Sequence, residues 1–225
     1  MQRRQLSAFL ALTALGAVAP ARAQPLSQND AARGIREALG RGAESAVALL
    51  GRPDGFLGNP QVRIPLPGLL EDAAKLLKFT GQGQRVDDLI TAMNRAAEAA
   101  VPQAKTLLVQ TAKNVSVEDA VRIVRGGETS VTDYFAERTR EPLTVKFLPI
   151  VGKATEKVAL TDKYNAVAGK AAGFGLVKDE DANVQRYVTR KALDGLYFMI
   201  GEEEKKIRRD PIGTGSALLR KVFGF

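Results

Sequence analysis

The chain contains no cysteine, no histidine and no tryptophan. Without cysteine there are no disulfides, thiol nucleophiles or Cys/His zinc sites, and without histidine there is no imidazole acid–base chemistry and no Ser-His-Asp triad. No serine is followed by lysine three positions later, so a Ser-x-x-Lys nucleophile is missing too. Catalysis would have to use carboxylates, Lys, Tyr, Arg or an added cofactor, and the residues call for no cofactor and no metal. The uncharged, mostly apolar run from Leu6 to Ala19 is too short to span a bilayer core.

What is present is ordinary globular composition: 225 residues, 45% hydrophobic and 26% charged. Arg3 and Arg4 precede the apolar run, and Ala21-Arg22-Ala23 follows it as an A-x-A cleavage site. This pattern predicts a signal peptide over residues 1–23, a mature chain from Gln24 and a periplasmic location. Gln5-Leu6 fits the twin-arginine route poorly, which favours ordinary secretion. The formal charge of +8 falls by three when Arg3, Arg4 and Arg22 leave with the leader. A mildly basic chain with no aromatic-lined basic stripe argues against nucleic acid as a partner.

Apolar spacing at three and four residues predicts a helix over Ser27 to Leu50, stopped by Gly51. Further helices are predicted over Leu69 to Phe79, Gln84 to Ala100, Pro102 to Asn114, Val117 to Arg125, Ser130 to Arg140, from Pro142 with a kink at Pro149, Asp162 to Ala168 and Asn183 to Arg209. A short amphipathic tail follows from Ser216. The expectation is an all-α, single-domain bundle of about eight to nine helices, residues 24–225, with a long Gly/Pro-rich extended loop at 51–68. The stretch Ala192 to Ile200 is apolar around most of its circumference, which places the last helix centrally. After it, Glu202 with Lys206 and Glu204 with Arg208 form i,i+4 pairs on a solvated helix end.

The loop carries the unusual chemistry. Val62, Ile64 and Leu66 alternate with Arg63 and Pro65, so the segment should lie extended with one apolar face on the helices, while Gln61 and Arg63 face solvent or a partner. Phe56 and Leu57, set between glycines, are expected at a mobile apolar tip; with Asn59 and Arg63 they form the candidate binding surface. The stretch Gly51 to Pro67, together with Met93-Asn-Arg-Ala-Ala-Glu98, Lys146-Phe-Leu-Pro149 and Lys191-Ala-Leu-Asp-Gly-Leu196 followed by Glu202 to Arg208, resembles a bacterial exported family catalogued as domain of unknown function 4197. The resemblance covers nearly all of the expected mature chain. It implies an exported, helix-rich single domain and carries no activity or catalytic residue.

Phosphate-binding glycine loops fail on inspection: Gly152-Lys153-Ala154-Thr155 lacks the hydroxyl directly after lysine. Asp179, Asp181, Asn183 and Gln185 alternate like the start of a calcium loop, but Val184 and Arg190 stand where glycine and glutamate are needed. Asp194 lies inside the apolar part of the last helix, where an unpaired charge is costly. It has two readings: a local pair with Arg190 or Lys191, or a buried polar network with Asn94, Arg95 and Glu98 that either specifies the fold or lines the binding site; these four residues join the candidate binding set.

These residues point to a non-catalytic binding module of the cell envelope, whose partner is an envelope protein or a small apolar or amphipathic ligand. One alternative is an enzyme using Asp194 and Glu98 in an inter-helix cleft. Another is a peripheral binder of anionic envelope surfaces, through Lys146, Lys153 and Lys157 or through the tail from Ser216 to Phe225.

Overall fold

The computed structural model describes residues 27–68, 74–75, 78–156, 158–173, 181, 183–210, 213 and 216. Its helices are α1 (Gln28–Leu50), α2 (Gly83–Ala100), α3 (Lys105–Lys113), α4 (Val117–Arg125), α5 (Ser130–Thr155), α6 (Ala159–Gly173) and α7 (Val184–Arg209), with a 3-10 turn, Val101–Ala104, between α2 and α3. No strand occurs among the described residues, and the all-α class holds. The expected leader, most of Leu69–Phe79 and the tail after Ser216 lie outside the described residues. No helix among the described residues is long and apolar enough to cross a membrane.

Side-chain caps start three of the helices. Ser27 accepts from the Asp30 amide at 3.0 Å, Ser116 from Asp119 at 3.0 Å and Asn183 from Arg186 at 2.8 Å. Ser130 does something else: its hydroxyl, with one proton to give, lies 2.9 and 2.8 Å from the carbonyls of Ile123 and Gly127, tying α5 to the end of α4.

Among the described residues fewer helices occur than the eight to nine expected, in part because the segments on either side of Pro142 are one helix. α5 runs through both Pro142 and Pro149. Each proline frees the carbonyl four residues earlier, Arg138 and Val145. Both prolines and both of these residues are exposed, so the breaks in the hydrogen-bond ladder fall on the solvent side of the helix. α6 likewise continues through Gly169 to Gly173 instead of stopping at Ala168; a helical glycine costs about 1 kcal/mol but does not forbid the conformation.

α7 is the central element, packed against α1, α2, α5 and α6. Its apolar residues Val188, Ala192, Leu193 and Leu196 are fully buried. Burial on most sides explains why it is apolar around most of its girth.

The end of α7 is docked, not merely solvated. Glu204 is 5% exposed and accepts from the Val131 amide and the Thr132 hydroxyl, both at 3.4 Å. Arg208 meets Glu204 at 2.9 Å and reaches back to the Ile123 carbonyl and the Ser130 hydroxyl. The expected Glu204–Arg208 pair therefore forms, whereas Lys206 pairs with Glu203 and Lys205 with Glu202.

Burial raises the Glu204 pKa more than Arg208 lowers it. The folded chain thus holds this proton more tightly than the unfolded one, so the contribution to stability is full below the ordinary glutamate pKa of about 4.3 and is lost as pH rises through the raised value. Denaturant midpoints measured against pH should show this decline in the parent. In Glu204→Gln it should be absent, and an unchanged pH profile would remove Glu204 as its source.

Candidate functional site

Residues 51–67 form a strap laid across α2 and α7. Successive turns within it place the Gly55 amide on the Arg52 carbonyl, Gly58 on Asp54, and both Val62 and Arg63 on Asn59. The Asn59 side chain accepts from the Gln61 amide at 3.1 Å. Asp54 adopts φ 63°, the left-handed conformation that aspartate tolerates better than most residues. Val62 and Ile64 are buried, Leu66 is partly buried, and Gln61 and Arg63 are exposed, as the alternation predicts.

Phe56 is not at a mobile tip. Its side chain is fully buried. It lies so close to α7 that a Cβ added at Gly195 would stand 2.8 Å from its ring and 3.3 Å from Val62. Glycine at position 195 lets the strap seat directly on the central helix. Leu57 is half-buried.

Two polar side chains of α2 clamp the strap backbone. Asn94, fully buried, accepts from the Ile64 amide at 2.8 Å and donates to the Ile64 carbonyl at 3.0 Å, as a neighbouring strand would. One turn on, Glu98 accepts from the Phe56 and Leu57 amides at 3.0 and 3.1 Å through Oε1 and from Arg95 at 2.7 Å through Oε2. Arg95 also meets Asp54 at 2.8 Å. These groups give an extended segment its backbone partners where no sheet exists.

Asp194 does not join that network. It lies on the side of α7 that faces α5, 43% exposed, and pairs with Arg140 at 2.9 Å and Arg190 at 3.5 Å. The local pair with Arg190 therefore forms, supplemented by Arg140 across the helix interface. Arg190 also holds Asp181 at 2.6 Å. Asp181 and Asn183, read as an incomplete calcium loop, thus serve as an ion-pair partner and a helix cap. No cluster of three or more acidic groups that could hold a metal ion occurs among the described residues.

Two clefts flank α7. One, about 320 Å³, runs between the strap and α7, lined by Gln61, Arg63, Pro65, Lys191, Asp194 and the partly exposed Phe198 among others. The other, about 310 Å³, lies between α5 and α7 and is lined by Arg140, Thr144, Leu148, Arg186, Thr189, Arg190 and Leu193. Among the described residues its charged lining is of one sign; Asp181 and Asp194 meet Arg190 and Arg140 from outside that lining. Arg140 is steadied over the Tyr197 ring at 5.0 Å, and Arg190 over Tyr187 at 5.6 Å.

The sequence reading did not single out this second cleft. Its signal lies in two stripes: Arg140, Thr144 and Leu148 recur every four residues on α5, and Arg186, Thr189, Arg190 and Leu193 recur at three and four on α7. Either stripe alone is an ordinary helix face; only the packing of α5 on α7 makes them one wall.

No curated protein and no solved structure matches the chain. A family model described as a protein of unknown function, DUF4197, matches residues 25–224, and the chain, built around this clamped strap and central helix, belongs to that family.

Proposed function

We propose that this chain is an exported, non-catalytic binding module that takes a small, part-apolar anionic ligand in the cleft between α5 and α7. The carrying observation is that three arginines from two helices line one concave site with Leu148 and Leu193. Ligand pockets combine apolar walls with a few convergent polar groups in volumes from about 300 Å³ upward, and this cleft lies at the lower end. The leader-like segment at 1–23 supports export.

The carboxylate-enzyme reading gains no support. All of the hydrogen bonds described for Glu98 serve the strap amides and Arg95, and Asp194 is engaged with Arg140 and Arg190. The two do not converge on a shared group. The anionic-surface reading rests on Lys146 and Lys153, which are exposed, and on Lys157 and the tail, which lie outside the described residues.

Leu148 is half-buried at the cleft. Replacing it with Trp should fill the space without emptying the core. Native mass spectrometry of the protein purified from its own host is expected to show a retained small molecule on the parent and none on Leu148→Trp. Equal retention by both, or retention by neither, would place binding elsewhere or remove it.

A further inference from the structure

Thr189 departs from the other helical threonines around it. Thr139, Thr144 and Thr155 each donate their hydroxyl to the carbonyl one turn earlier, at 2.7, 2.8 and 2.8 Å. Thr189 is 1% exposed, and its Oγ1 is buried with no hydrogen-bond partner. With Leu193, also fully buried, it forms the floor of the α5–α7 cleft. A buried hydroxyl without a partner is destabilising, and a valine would fill the same volume without that cost.

Among the described residues, the charged side chains that line the cleft with Thr189 are Arg140, Arg186 and Arg190, reaching it from two helices. Arg190 is held by Asp181 and Asp194, whereas Arg140 gives only Nη1 to Asp194 among the described residues. Guanidinium groups arriving from two helices, with Thr189 in the same lining, suit an oxyanion with several acceptor oxygens. The tetrahedral phosphate has three such oxygens; a planar carboxylate has two. Leu148 and Leu193 supply an apolar wall beside that position.

Resting on the reading of this cleft as the binding site, we infer that its ligand is a phosphate-headed amphiphile, whose head lies between Arg140, Arg186 and Arg190 and accepts a hydrogen bond from Thr189. The hydroxyl costs the empty protein stability and is repaid when the head group binds. Arg186, exposed at the rim, supplies attraction that salt weakens.

The test uses hexyl phosphate, inorganic phosphate and hexanol as probes, with binding measured by titration calorimetry and stability by thermal unfolding. Hexyl phosphate is expected to bind at least tenfold tighter than inorganic phosphate, and hexanol not at all. Thr189→Val should raise the melting temperature of the empty protein while weakening hexyl phosphate roughly tenfold or more, and Thr189→Ser should restore binding. Arg186→Gln should weaken binding and flatten its salt dependence. Equal affinity for hexyl phosphate and inorganic phosphate would reduce the site to a simple ion site and overturn the amphiphile. Unchanged binding in Thr189→Val would overturn the role of the hydroxyl. If hexyl phosphate fails to bind while Leu148→Trp still abolishes retention of a different ligand, the phosphate head is wrong and the cleft stands; if Leu148→Trp changes nothing either, both fail.

Discussion

Phe56→Ser is expected to lower the stability of the whole domain by about 3–5 kcal/mol, the usual cost of emptying a phenylalanine site in a core. The ring is fully buried, touches the Gly195 position of α7 and belongs to the main apolar core of the bundle. Serine would leave a cavity and place a hydroxyl there as well. For a chain of this size each kcal/mol shifts the melting temperature by about 2–4 °C, so the drop should be on the order of 10 °C. Ile64→Asp should cost at least as much, since it removes a buried aliphatic side chain and asks the site to accept a charge. Thermal and denaturant unfolding of both variants check this. A Phe56→Ser protein that melts like the parent would mean the ring leaves its pocket in solution and the strap is mobile there.

That expectation reverses the one drawn from sequence, where Phe56 between Gly55 and Gly58 reads as a free tip. The glycines are there for close approach, not mobility. A Cβ at Gly55 would collide with the Leu50 carbonyl oxygen, so the strap must turn hard against the end of α1. The surface that receives the ring, at Gly195, is far away in the chain, and local composition carries no information about it. The alternation of Val62, Ile64 and Leu66 was legible because period two is a local property. The caps at Ser27, Ser116 and Asn183 likewise rest on a local property, the residue type at a helix start.

The polar residues show the same division. Asn94, Arg95 and Glu98, named together from sequence as a candidate polar network, do form one polar arrangement. Their partner is the strap backbone, which presents no distinctive side chain to pair with them in a sequence reading. Asp194 looked equally out of place, yet the register of α7 turns it toward α5 and two arginines. The arginine-lined cleft was illegible because basic residues on an amphipathic helix read as a solvated face until the neighbouring helix is placed.

The most informative polar substitution is Asn94→Leu, expected to cost about 2–5 kcal/mol although leucine is nearly the same size and more apolar. Both the amide and the carbonyl of Ile64 depend on the Asn94 side chain, at 2.8 and 3.0 Å, and Asn94 is fully buried. Leucine would leave two buried backbone groups unpaired, each costing about 1–3 kcal/mol. Asn94→Asp separates the donor from the acceptor role. The new carboxylate can still accept from the Ile64 amide, but it faces the Ile64 and Ile90 carbonyls that the Asn94 amide now serves. Protonation would restore a donor, so the folded state should raise the pKa of this group. The variant's deficit should then be smallest below the unfolded aspartate value of about 3.9 and grow as pH rises through the raised folded value. Glu98→Gln should be milder, because its carbonyl oxygen keeps the Phe56 and Leu57 amides and only the pair with half-exposed Arg95 is lost. Limited proteolysis gives the second readout: cleavage within 51–67 should appear early in Asn94→Leu and stay slow in Glu98→Gln. An Asn94→Leu protein as stable and as resistant as the parent would show that the strap is held by its apolar face alone.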